Sequence, residues 1–272
     1  MSSYVITGAN RGLGAEFLVQ LSSDPNNVVV GLVRNKVAAQ NALPAELKAR
    51  SNVHLFQADI VDYPALKKAA EDTAKVTGGG LDYLIGNGAM ISEWDQFDGI
   101  GTLGTHHPER LEKEMIDSFR INAVGNVHLI NAFMPLILAG KQKKVAIISS
   151  GMADADLVAQ YDVDTGSAYA VSKAALNLAV AKFSAEYRKD GVLVMAICPG
   201  MVNTRPDATP SQKELEAMGT MLSKFQKYAP NFTGPASPEY AAKSVLGVLY
   251  KSSVEAGNGG AFLSHLGTKR WL

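Results

Sequence analysis

The chain has 272 residues, 47% of them hydrophobic, with 26 basic side chains against 26 acidic ones. That is enough apolar material for one large α/β domain or two small ones, and the balanced charge excludes the basic excess that nucleic acid or an anionic membrane surface would call for. A single cysteine, Cys198, has no partner for an internal disulfide; with no basic-then-apolar leader and no apolar run near the ~20 residues of a bilayer span, a soluble cytoplasmic protein is expected.

In chain order, Tyr4, Val5 and Ile6 are β-formers and read as a short buried strand. Gly8, Gly12 and Gly14 follow, and residues 16–21 then read as a helix with Phe17, Leu18 and Leu21 on one face. A strand that passes through a glycine turn into a helix N-terminus makes an anion site. Bare N–H groups and the positive end of the helix dipole face the ligand, and glycine keeps Cβ atoms out of its way.

Further apolar runs at 28–33, 53–56, 81–85, 145–148 and 192–197 lack alternation, as strands covered on both faces do. Helical patterns occupy 63–76, 109–138, 168–188 and 238–250. The rhythm predicts a single-domain, Rossmann-type, doubly wound parallel sheet of about seven strands with helices on both faces, spanning 1–272. Residues 86–108 and 200–238 read as irregular. Within the second, residues 205–237 are expected to form a substrate lid; Leu215, Met218, Met221, Leu222 and Phe225 recur there at helical spacing, as in a flexible apolar cover or a helix packed on the core.

The second strand ends Val33-Arg34-Asn35, without the carboxylate that binds an NAD ribose. Arg34 can fork onto a 2′-phosphate, and Arg11 in the glycine loop can reach the same group, so NADPH/NADP+ is the expected cofactor. In 169–173, Tyr169 and Lys173 stand four apart in a helical pattern and emerge on one face. A neighbouring ammonium is expected to draw the phenol down from a pKa near 10, making it a usable acid or base. The five histidines are scattered and give no metal site.

The loop Thr7-Gly8-Ala9-Asn10-Arg11-Gly12-Leu13-Gly14 resembles the cofactor loop of the short-chain dehydrogenases/reductases. That resemblance implies cofactor contacts at Thr7, Gly8, Asn10, Arg11, Gly12, Leu13 and Gly14, at Asp59 and Ile60 for adenine, and at Asn87 and Gly88 in the turn after the fourth strand. It also implies contacts from Tyr169 and Lys173, and from Pro199, Gly200, Val202 and Thr204 to the nicotinamide. The Gly86-Asn87-Gly88-Ala89 turn departs from the family's usual Asn-Asn-Ala-Gly. The set Ser150, Tyr169 and Lys173 resembles the family's catalytic triad, with Ser149 as a competitor for the serine and Asn122 expected to hold a relay water at a helix kink.

The gap between Ser150 and Tyr169 is longer than usual, by an acidic segment near 154–165 expected to flank the substrate mouth. Residues 259–267 and Trp271 resemble the last strand and tail of Sniffer-type carbonyl reductases, C-factor-like proteins and fungal ketoreductases such as norsolorinic acid ketoreductase. The implied activity is reduction of a bulky apolar ketone or aldehyde. A non-catalytic NADPH sensor and an oxidising alcohol dehydrogenase are the alternatives. The helices at 109–138 and 168–188 match those that build homodimers or homotetramers in relatives.

Overall fold

The computed structural model describes residues 1–204 and 211–272. Its strands are β1 (Ser3–Thr7), β2 (Val28–Val33), β3 (Val53–Gln57), β4 (Tyr83–Gly86), β5 (Lys144–Ile148), β6 (Leu193–Cys198) and β7 (Phe262–Ser264). They form one parallel sheet in the order β3-β2-β1-β4-β5-β6-β7. The order reverses between β1 and β4, and in such sheets the crevice beyond that switch point receives the ligand.

The helices are α1 (Gly12–Leu21), α2 (Lys36–Ala42), α3 (Ala45–Ala49), α4 (Tyr63–Thr77), α5 (Ile100–His106), α6 (Pro108–Phe119), α7 (Gly125–Ala139), α8 (Ala155–Gln160), α9 (Ser167–Tyr187), α10 (Gln212–Tyr228) and α11 (Pro238–Lys251). Alternate strand residues feed two cores. Tyr4 and Ile6 pack with Phe17, Leu18 and Val245 on the side of α1 and α11. Val5 packs with Leu66, Leu129, Phe133 and Val180 on the side of α4, α7 and α9.

Local chemistry sets the helix ends. Asp62 accepts from the Ala65 N–H at 3.0 Å to start α4, and Gly78, at φ +73°, ends it. Ser211 and Glu214 form a reciprocal capping box on α10.

Four short helices lie where the sequence reads as loop or is silent: α2, α3, α5 and α8. Each buries a single side chain, Ala39, Leu47, Leu103 and Leu157 respectively, so none carries an apolar period. The fourth strand begins at Tyr83 rather than at residue 81, because the Leu81 N–H is taken by the Leu136 carbonyl at 2.8 Å.

The predicted helix at 109–138 is a rod of three parts: α6, a π-helical turn at Arg120–Val124, and α7. Taken whole, Pro108–Ala139 is long and apolar enough to cross a membrane, contrary to the sequence expectation, which scored uninterrupted apolar runs. Half of its most apolar window is buried within the protein, where α7 packs on α4 and β4, so it is a core helix here.

Candidate active site

The phosphate-binding turn is built first. After β1 the chain bends at Gly8 (φ +66°), and the Gly8 N–H donates to the Leu32 carbonyl at 3.0 Å. Gly14 is held so close that a Cβ would lie 2.2 Å from the Gly8 carbonyl oxygen. Arg11 stands at the N-cap of α1 with no side-chain cap, and the first turn of the helix holds no acid. Its leading N–H groups and dipole are therefore left for an anion. Leu13 is buried beneath the turn, and Asn10 and Arg11 are exposed on it.

The turn after β4 is tied to this loop. The Thr7 hydroxyl accepts from the Asn87 and Gly88 N–H groups at 2.9 and 2.8 Å, and the Asn87 side chain donates to the Thr7 carbonyl at 3.0 Å. The loop after β6 arrives from the other side: Thr204 packs against Gly12, where a Cβ would lie 3.2 Å from that of Thr204. Gly200 (φ +77°) turns the chain beside His265, and Val202 bridges to Ala236. Pro199, Gly200, Val202 and Thr204 thus stand at the strand ends with Thr7, Gly8, Gly12, Asn87 and Gly88.

Arg34 is exposed just past β2, and neither Arg11 nor Arg34 is ion-paired to another described residue. Asp59 accepts from the Val61 N–H at 3.1 Å, which shapes the turn after β3. Ile60 packs on Gly125 at the end of the π-helical turn.

The catalytic candidates converge on the ends of β5 and β6. Gly166, left-handed at φ +64°, opens α9, and Tyr169 follows in its first turn. The Ser150 hydroxyl stands near enough to the Tyr169 phenol to lower its pKa. Ser149 is buried, and its hydroxyl donates to Asn177 Oδ1 at 2.7 Å, so Ser150 is the serine that faces the site. Lys173 is 1% exposed; its Nζ donates to the Ile148 carbonyl at 2.7 Å and lies 5.7 Å from the centre of the Tyr169 ring.

The electrostatics correct the sequence expectation. Burial pushes the Tyr169 phenol above its ordinary value, aided by Cys198 nearby and opposed by the Ser150 hydroxyl. Burial lowers Lys173 to about 7. The lysine therefore does not hold a full ammonium charge against the phenol at neutral pH, because removing it from water outweighs the gain. Cys198 completes the group: it is buried, its Sγ accepts from the Gly151 N–H at 3.1 Å, and burial raises its thiol to about 11. It is a core thiol.

Asn122 lies inside the π-helical turn, fully buried. Its Nδ2 donates to the Met90 carbonyl and to Ser172 Oγ, each at 2.9 Å, and its Oδ1 accepts from the Met90 N–H at 2.7 Å. The Asn122 carbonyl, released by the wider turn, accepts from Asn126 Nδ2 at 2.8 Å. The helix widens to a π-helical turn here, and the side chain clamps the segment after β4 to α9, so only one Oδ1 lone pair remains for a water.

Two residues to which the sequence assigns no part in the site, Asp95 and the tail's Trp271, also hold it. Asp95, fully buried, accepts from the Ala168 N–H at 2.8 Å, and its carbonyl accepts from the Gly166 N–H at 3.0 Å, so it caps the helix that bears Tyr169. Trp271 packs on Gly151 so tightly that a Cβ on the glycine would lie 2.6 Å from that of the tryptophan. An acid beyond a strand and an aromatic near a chain end carry no periodic signal.

Residues 205–210 of the expected lid lie outside the described residues. The remainder holds α10, where Leu215 and Met218 are exposed, Met221 and Leu222 are half-buried and Phe225 is buried, so the first half of its apolar face is open. Among the described residues no three His, Cys, Asp or Glu side chains converge as a metal site.

Comparison with known proteins bears on the family and the fold. Short chain dehydrogenase virK of Hypocrea virens is 53% identical over 272 residues, covering 100% of both chains. Short-chain dehydrogenase/reductase AacuF of Aspergillus aculeatus is 46% identical over 273 residues, again covering 100% of both. Among solved structures, the NADPH-bound carbonyl reductase from chicken fatty liver superposes with a TM-score of 0.77 at 24% identity, covering 98% of each chain. Carbonyl reductase Sniffer of D. melanogaster gives 0.75 at 24% identity, also over 98% of each. These two likenesses are of fold. The sequence family described as short chain dehydrogenase matches residues 3–215, and with the glycine turn, the Ser150–Tyr169–Lys173 group and the whole-length relatives, the chain belongs to the short-chain dehydrogenase/reductase family of oxidoreductases.

Proposed function

We propose that the protein is an NADPH-dependent carbonyl reductase that acts on a bulky apolar or aromatic ketone or aldehyde. The observation that carries the reading is buried Lys173, 5.7 Å from the centre of the Tyr169 ring, with the Ser150 hydroxyl near that phenol at the C-terminal edge of the sheet. A phenol held above its ordinary pKa is protonated at neutral pH. It therefore carries the proton that a reduction requires, and an oxygen that gains charge during hydride transfer becomes basic enough to take it. Ser150 orients that oxygen and donates a hydrogen bond as the charge develops.

The residues present fit the cofactor. The uncapped, acid-free start of α1 accepts a pyrophosphate, and Arg11 and Arg34 suit a 2′-phosphate where an NAD-binding carboxylate is missing. NADPH supplies the hydride when bound. Asp59 and Ile60 are suited to adenine, and Lys173 to the nicotinamide ribose. The chicken liver neighbour is described as NADPH-bound, and a Burkholderia cenocepacia relative in structure as a complex with NADP.

The apolar preference is supported by α10, whose Leu215 and Met218 are available to an apolar guest. Residues 205–237 serve as the lid in this reading. A cytoplasmic location accords with the lone, buried Cys198. A homodimer accords with outward apolar side chains on α6 and α9, namely Ile116, Phe119, Val171 and Leu178.

The test is turnover of a panel of aromatic and aliphatic ketones with NADPH and with NADH. Faster turnover of aromatic ketones with NADPH is expected. Tight NADPH binding without turnover of any carbonyl would replace the enzyme with a cofactor sensor, and a preference for small charged oxo acids would remove the apolar substrate.

A further inference from the structure

The C-terminal tail is fastened into the wall of the active site, and its fastenings reach two separate segments. The Trp271 indole Nε1 donates to Asp154 Oδ2 at 2.7 Å. The Trp271 N–H donates to the Tyr228 hydroxyl at 3.0 Å, and that hydroxyl donates to the Lys269 carbonyl at 3.4 Å. The indole is 2% exposed, stacks on Phe262 with ring centres 4.2 Å apart, and presses on Gly151, the residue after Ser150. Asp154 opens the inserted segment that holds α8, and Tyr228 is the last residue of α10.

Two more contacts join insert and lid directly. Tyr161 meets Tyr228 edge-on with ring centres 5.2 Å apart, and Lys224 of α10 is ion-paired with Asp164. The base of the lid lies at the same sheet edge, where Val202 bridges Ala236. Insert, lid helix and tail therefore make one fastened wall beside Ser150, with Trp271 as the member that touches all of the others.

We infer that Trp271 is a positioning residue that braces the insert and α10 against the catalytic serine turn and so sets the fit of bulky substrates. The inference rests on the carbonyl-reductase reading for its kinetic part only. Trp271→Phe keeps an aromatic ring against Gly151 and Phe262 and removes the N–H that holds Asp154. Ser150 and the cofactor residues stay in place and the backbone N–H on Tyr228 is kept, while the insert loses its tie to the tail and passes that loosening to the end of α10 through the Tyr161–Tyr228 and Asp164–Lys224 contacts.

Backbone hydrogen exchange on the full-length protein tests the brace without reference to activity. In Trp271→Phe, protection across 155–161 and 225–229 should fall together by about tenfold or more, with the sheet unchanged. Tyr228→Phe, which removes the hydroxyl on the tail, should loosen the same two segments. Loosening confined to the tail, or to α10 alone, would overturn the inference.

Steady-state kinetics with 1-acetylnaphthalene and 2-butanone test the consequence. KM for the naphthyl ketone should rise about fivefold or more in Trp271→Phe, with its kcat, the KM for butanone and NADPH affinity all within about twofold of wild type. A lower melting temperature with all kinetic constants unchanged would mark Trp271 as merely structural. If the wild type turns over neither ketone, the functional reading is at fault, and the exchange result still decides the brace.

Discussion

At Lys173 the cost of burial sets a pH dependence that can be measured. Its amine sits at about 7 in the folded protein and at about 10.5 in the unfolded chain. A group with a depressed folded pKa contributes stability that is full above the unfolded value and is lost as pH falls towards the folded one. The unfolded chain binds the extra proton between these limits, so this residue makes stability rise with pH across that window. From pH 7 to 9 the rise should be about 2 kcal/mol. Cys198, raised to about 11, opposes it only above the ordinary thiol range. Lys173→Met should flatten the profile between pH 7 and 9 in urea unfolding of the cofactor-free protein. An unchanged slope would mean that the amine is not held in its neutral form.

Tyr169 makes a complementary demand. Tyr169→Phe removes the proton donor and leaves the ring, so kcat/KM should fall by about 10²–10⁴, while NADPH titration gives an unaltered affinity. The pair Tyr169 and Lys173 was legible because a helix makes residues four apart neighbours. Their protonation states were not, because those depend on the Ile148 carbonyl, on Cys198 and on the depth of burial, which spacing does not encode.

At the scale of the element, α9 shows how a catalytic residue depends on a distant cap. The carboxylate of Asp95 accepts the Ala168 N–H one residue ahead of Tyr169, yet its Oδ1 is buried without a hydrogen bond. Burial accordingly raises the carboxyl above its ordinary value, with Glu114 adding repulsion. An acid with a raised folded pKa loses its contribution to stability as pH rises through that value, so the bare charge partly offsets the cap at neutral pH. Asp95→Ala should cost about 1–2 kcal/mol at pH 7, the range for a lost helix cap. Asp95→Asn, which keeps an acceptor and removes the charge, should lose less than half of that. Denaturant unfolding of both variants checks the order, and an Asn variant as unstable as the Ala one would place the stabilisation in the charge. The long helices and buried strands were legible through their periods; α2, α3, α5 and α8 were not, since one buried side chain apiece leaves no pattern to read.

At the scale of the molecule, the doubly wound parallel sheet followed from the alternation of apolar runs and helices, because a buried strand must be covered on both faces, whereas the strand order that places the switch point is set by pairing in three dimensions. The assembly of the wall beside Ser150 did not follow, since Asp154, Tyr228 and Trp271 meet only in three dimensions. The proposed dimer rests on the same kind of surface reasoning and can be tested by itself. Val171 and Leu178 stand seven apart on α9, and Ile116 and Phe119 three apart on α6, so each helix directs an apolar pair outward. Leu178 is 65% exposed, an open position for so apolar a side chain, while Leu176, Val180 and Phe183 of the same helix are buried in the core. Leu178→Arg leaves the monomer's core untouched and places a charge where a partner helix would pack, and a charge buried there without a counter-ion is strongly unfavourable. Wild type should sediment at twice the monomer mass at micromolar concentration, and the variant at the monomer mass with an unchanged circular dichroism spectrum. A wild-type protein that sediments as a monomer throughout that range would assign the outward leucine to solvent and end the dimer proposal.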